Sequence, residues 1–216
     1  MNEKFFALDK EKQRRILNAG FCVFTQSRYD KAPMSEIARQ AQISKSLLFH
    51  YFHNKKELYL FLAAQVEKLS QQVQRTTGST PSGNLFDCME RGLDAKFALI
   101  RRYPYVAGFA VRAIYEKDPE VQGDIQSGFR KWSTRQWAQA FAQLDPQDYR
   151  PGLDLRMMCR QIYWAGECYV WQMAQQGQLD PDQMEADFHS MLAFWRSVYE
   201  NPEKHRADPA QKEETV

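Results

Sequence analysis

The sequence predicts an all-α protein, a three-helix helix-turn-helix head followed by a larger helical body. Two observations predict it. Apolar residues recur at helical spacing through nearly all of the 216 residues, with no convincing alternating run that would suggest a strand. Within this, Pro33 to Lys56 (PMSEIARQAQISKSLLFHYFHNKK) reads as two short helices meeting at a tight turn, with another helix starting just beyond. Ile37, Ala38, Ala41, Ile43, Leu48 and Phe52 are spaced to meet in one small core. Helices of two turns are not stable alone in water, so the unit needs the support of the rest of the chain.

Taken in order, Asp9 is a natural N-cap for a first helix running to about Ser27, with Ile16, Gly20, Val23 and Phe24 as its buried stripe. Phe5 and Leu8 precede the cap as an apolar staple. Pro33 suits the first turn of the second helix, where no N–H is needed. Ser44 caps the third helix, ending near His53, and Asn54 caps a fourth that runs to about Arg75. Thr76 to Gly83 (TTGSTPSG) is too polar and too rich in Gly and Pro to be helical and is read as a loop. Helical periodicity resumes over 84–102, 105–116, 118–144, 153–176 and 181–199. The residues from Asn201 to Val216 are charged and Pro-interrupted, which reads as a disordered tail.

Composition limits the function classes. Hydrophobic content of 44% and charged content of 26% are those of an ordinary globular protein. No 18-residue apolar run and no signal segment is visible, so a cytoplasmic protein with no membrane partner is expected. Cys22, Cys88, Cys159 and Cys168 lack CxxC spacing and read as reduced thiols. No nucleophile elbow, Gly-rich phosphate loop or dinucleotide fingerprint is present, so neither an enzyme nor a cofactor is expected. His50 and His53 are spaced i, i+3 without an accompanying acidic ligand, so no metal site is assigned.

Charge is distributed unevenly. Residues 1–60 carry eleven Lys/Arg against six Asp/Glu, whereas the remainder carries 18 against 21. The positive excess lies where the helix-turn-helix is, as binding to a polyanion requires. Ser35, Lys45, Ser46, His50, Tyr51 and Lys55 are all able to bond phosphates or base edges.

The segment SEIARQAQISKSLLFHYFHNKKELY, within Ile16 to Leu60, resembles the DNA-binding head of TetR (tetracycline-repressor-like) regulators. The carriers are an Ile-Ala pair, then Ile-Ser-Lys, Leu-Phe-His-Tyr-Phe and Asn-Lys-Lys-Glu-Leu at fixed offsets. The resemblance implies about nine helices, a homodimer on a palindromic double-stranded operator, and a ligand cavity in each body. It further implies repression relieved by a small molecule, the effector here being unknown. By position it places Lys45, Ser46, Leu47 and His50 at base edges, Tyr51 and Lys55 on phosphates, and Ser35 facing the backbone. Phe49, Gln42, Arg28 and Pro33 depart from the pattern; a left-handed Gln42 would carry about 1 kcal/mol of strain.

These readings divide the chain into a DNA-binding domain at 1–56, a ligand-binding and dimerisation domain at 57–200, and the tail at 201–216. In the body, Phe97, Phe109, Arg112, Trp137, Tyr163, Trp164 and Glu167 are candidate liners of a cavity for an apolar or aromatic effector. The last two helices are apolar on two sides, which suggests a dimer face built from Trp164, Cys168, Trp171, Phe188, Met191 and Trp195. The alternative function is a helical module that binds a small molecule and no specific DNA.

Overall fold

The computed structural model describes residues 3–76, 84–129, 131, 138 and 144–205. Its helices are α1 (Glu3–Phe6), α2 (Lys10–Gln26), α3 (Met34–Gln40), α4 (Lys45–Tyr51), α5 (Lys55–Thr76), α6 (Leu85–Arg102), α7 (Val106–Ile114), α8 (122–129), α9 (Leu155–Gln176), α10 (Pro181–Tyr199) and α11 (Pro202–His205). The fold class is all-α: the only strand-type pairing among the described residues is one isolated bridge, Tyr149 with Glu200.

The capping residues act as expected. Asp9 accepts the Lys12 N–H at 2.8 Å, Ser44 that of Leu47 at 3.1 Å, and Asn54 that of Glu57 at 2.7 Å. Asn84 and Asp87 close a capping box at the start of α6, and left-handed Gly177 (φ 68°) ends α9. Pro33 differs from expectation: it is the N-cap itself, with no side chain to bond, and the helix begins at Met34. The tail also differs, because Pro202–His205 forms a helical turn. The 76–83 loop from 77 onward, most of the 118–144 helix beyond 129, and residues 206–216 lie outside the described residues.

The turn between α3 and α4 shows how the head is set. Gln42 has φ 57°, left-handed. Its N–H bonds the Arg39 carbonyl at 3.1 Å, while the Ile43 N–H reaches back to the Ala38 carbonyl at 3.0 Å. This is a Schellman arrangement with Gln where Gly is usual, so the chain accepts side-chain strain to hold the angle between the two helices. Gln42→Gly is expected to raise the unfolding free energy by about 1 kcal/mol, read from the urea midpoint; no gain would mean the Gln42 side chain stabilises the turn by another route.

One apolar core runs without interruption from Phe5 in α1 to Trp195 in α10. Phe5, Phe52 and Phe61 meet with ring centroids 5.0–5.4 Å apart, tying α1, the end of α4 and α5 together. Close approach of helices depends on two glycines. A Cβ on Gly20 of α2 would lie 2.7 Å from Leu62 of α5, and one on Gly108 of α7 would lie 2.8 Å from Thr25 of α2. The head helix α2 therefore packs tightly against both the long α5 and the body helix α7.

Candidate nucleic-acid interface and body cavity

α4 buries Leu48 fully and turns Lys45, Ser46 and His50 outward, with Leu47 and Phe49 half-exposed beside them. Apolar positions on one side of a seven-residue helix leave the other side for polar contacts, as a groove-reading helix needs. Lys45 reaches over the Phe49 ring, 5.9 Å from its centroid. Ser35 is exposed at the start of α3. Nearby charges are already matched: Arg39 is bidentate to Glu36 at 2.6 and 2.8 Å, and that pairing, with Gln40, holds the Glu36 carboxyl down at about 2.

Two predicted phosphate contacts sit differently from Lys45 and His50. Tyr51 is only 7% exposed, its ring part of the head core and 5.9 Å from the His50 ring, so packing is its main work. Lys55 gives one of its protons to the Asp30 carbonyl at 3.1 Å and lies 4.9 Å from the Tyr29 ring centroid. Two protons of its ammonium remain, so it holds the turn before α3 and still offers charge at the surface. His53 is tied to Glu57 at 2.9 Å, which separates it from His50 in role.

The same turn is anchored to the body. Glu116, just past α7 and 5% exposed, accepts the Tyr29 N–H at 3.0 Å with one carboxylate oxygen. Its other oxygen takes the N–H groups of Lys117 and Asp118 at 2.8 and 3.0 Å. A buried carboxylate is tolerated because three backbone donors satisfy it. Sequence reading missed Glu116, because its nearest head partner is 87 positions away.

α7 leads from this anchor into a cavity of about 620 Å³ bounded by α5, α6, α7, α8, α9 and α10. Close-packed interiors leave such space only where side chains fall short of filling it. Here seven small residues line the walls: Ala63, Ala64, Ala107, Ala110, Ala113, Gly128 and Gly166. Phe109, Tyr163 and Glu167 line the cavity, with Glu167 accepting the hydroxyls of Tyr115 at 3.2 Å and Tyr163 at 3.1 Å. Burial pushes the Tyr163 hydroxyl up, well above the usual phenol range.

The other predicted liners are elsewhere. Phe97 is fully buried in the core against Phe188, with ring centroids 5.7 Å apart. Arg112 turns off the cavity side of α7 and stacks on Trp171 at 5.5 Å. Trp164 is 51% exposed on the outside of α9, and Trp137 lies outside the described residues. Lys96 was missed as a liner, and the spacing of Ala107, Ala110 and Ala113 was the overlooked signal: small residues at i, i+3, i+6 mark a helix face with nothing filling it.

The proposed dimer face also needs correction. Phe188 and Trp195, each 6% exposed, point inward and line the cavity. Trp171 and Met191 are half-buried, while Trp164 and Cys168 are exposed. The outward apolar residues are Met157 (42%) and Trp164 on α9 with Phe194 (63%) and Val198 (39%) on α10. Tyr199 donates to Gln161 at 2.9 Å, which sets the two stripes side by side.

Comparison with known proteins places this architecture. The family model described as bacterial regulatory proteins, tetR family, matches residues 16–62. The HTH-type transcriptional repressor KstR of Rhodococcus jostii (strain RHA1) is 23% identical over 140 residues, 64% of each chain, so the match spans less than two thirds of that relative. The ketosteroid transcriptional regulator KstR2 of Mycobacterium tuberculosis superposes with a TM-score of 0.60 at 16% identity, over 90% of this chain and 97% of that one. The regulator FadR of Bacillus subtilis, solved with stearoyl-CoA, gives 0.51 at 19% identity, over 84% and 96%. The helix-turn-helix head thus matches the tetR family of bacterial regulatory proteins over residues 16–62, and the helical body behind it has the fold of the solved regulators.

Proposed function

We propose that the protein is a transcriptional regulator whose head, at 1–56, binds DNA and whose body, at 57–200, pairs with a second copy and takes up a small effector. The observation that carries this reading is a continuous path. The outward face of α4 rests on a head core, that core is held to the end of α7 through Glu116 and Tyr29, and α7 forms a wall of the cavity. A ligand that prefers another setting of α7 thereby changes the setting of the head. The reading supported best is a repressor that leaves a palindromic operator when an apolar or aromatic effector binds. Relatives of like architecture include a repressor and a regulator solved with stearoyl-CoA, which fits an apolar cavity of this size.

Two features support a homodimer. The Met157, Trp164, Phe194 and Val198 stripe leaves large apolar side chains in water. A seven-residue recognition helix reads few base pairs, so two heads about 34–36 Å apart in successive major grooves supply the specificity. No helix among the described residues is long and apolar enough to cross a membrane, and a cytoplasmic site of action accords with this.

The test is binding to duplexes drawn from the DNA upstream of its own gene, followed by fluorescence anisotropy at several salt concentrations. Affinity is expected to fall steeply with salt, with a log–log slope of about −0.9 per phosphate contacted. Lys55→Ala is expected to reduce that slope by about one unit per head. A flat salt response, with no duplex preferred over random DNA, would sink the reading.

A further inference from the structure

Lys96 of α6 is the one cationic side chain lining the cavity among the described residues. By surface area it is exposed, while many protein atoms stand around its ammonium. Its ammonium sits 4.2 Å from the centroid of Phe188, which lines the same cavity. No carboxylate pairs with it among the described residues. This lack of a partner is notable because the acidic groups of the cavity are engaged elsewhere. Asp124 is paired with Lys56 at 2.9 Å, Glu167 is held by two tyrosine hydroxyls, and Glu67 accepts the Gln71 amide at 3.1 Å. Loss of solvation with nothing to offset it brings the Lys96 ammonium down to about 8. An ammonium beside an apolar wall, with no carboxylate on it, has its donors open to an anionic group of a ligand.

We infer that Lys96 is the anchor for the acidic head of an amphipathic effector, a monocarboxylate whose apolar body lies along Phe109, Ile125, Ile162 and Trp195. This rests on the cavity being the effector site. One ammonium matches one carboxylate. A phosphate monoester, with close to two charges, would leave excess negative charge beside Glu67 and Glu167. An uncharged ligand filling the cavity would strip water from Lys96 and offer it no counter-charge.

The experiment is calorimetric titration of the full-length protein with two acids, oleate and pyrenebutyrate, and with the corresponding alcohols and oleylamine. Wild-type protein is expected to bind each acid at least tenfold tighter than its alcohol. Lys96→Met is expected to lose that preference, weakening the acids at least tenfold and leaving the alcohols within about twofold. Lys96→Arg keeps the charge and is expected to keep most acid binding; thermal melts of both variants check folding. Acid and alcohol bound equally well, or acid affinity unchanged in Lys96→Met, overturns the head-group assignment and leaves the cavity reading standing. Oleylamine bound more tightly than oleate also overturns it, giving the polar end to the carboxylates. Failure of the acids, the alcohols and the amine alike to bind overturns both the assignment and the cavity reading.

Discussion

Phe109→Ala is expected to lower the unfolding free energy by about 3–5 kcal/mol, the range for truncating a fully buried aromatic. Phe109 is fully buried, with its ring centroid 5.3 Å from those of Phe21 and Tyr59 and 6.3 Å from that of Phe24. It therefore joins α2, α5 and α7 at one point and also closes one wall of the cavity. Truncation removes the apolar area, the aromatic contacts beyond that area, and the filling of a site whose neighbours are held by the close contacts at Gly20 and Gly108. Collapse into the space is thus limited, which puts the cost at the upper end. For a chain of this length the thermal midpoint is expected to drop by roughly 10 °C or more. A loss below about 1 kcal/mol would show that the cavity side yields freely, contrary to the packing described.

On the proposed homodimer, Phe194→Glu is expected to shift dimer to monomer at micromolar concentration, measured by sedimentation or light scattering. Phe194 is 63% exposed on α10, so the substitution costs little within one protomer, about 0.5 kcal/mol or less. Across a two-fold interface the same change meets its own copy's surroundings, and a desolvated carboxylate in an apolar patch costs far more. DNA affinity is expected to fall at least a hundredfold with the monomer, because the second head then binds without the first to hold it near. An unaltered dimer would move the interface off the Met157, Trp164, Phe194 and Val198 stripe.

The two functional regions were legible to different degrees. In the head, local rules were sufficient. The caps at Asp9, Ser44 and Asn54, the left-handed Gln42, and the alternation of Leu48 with Lys45 and His50 all depend on residues within a few positions of one another. Lys55 was read for its charge, but its bond to the Asp30 carbonyl spans 25 positions and was not visible. In the body, the aromatic pattern suggests a cavity but does not say which rings face it. Phe109, Tyr163, Phe188 and Trp195 line it while Phe97 does not, and the space opens where alanines and glycines stand among them.

The capped helix starts at Asp9, Ser44 and Asn54, the fold class and the outward face of α4 were determined by the sequence alone, since each follows from the 3.6-residue period and from hydrogen bonds closed within a turn or two. Which side of α10 faces the cavity, the attachment of Tyr29 to Glu116, and the solitary position of Lys96 were decided only by the tertiary structure. The physical reason is that a helix apolar on two sides satisfies the pattern in either orientation. Only the packing of α6 and α9 against it selects Phe188 and Trp195 for the interior and leaves Phe194 and Val198 in water.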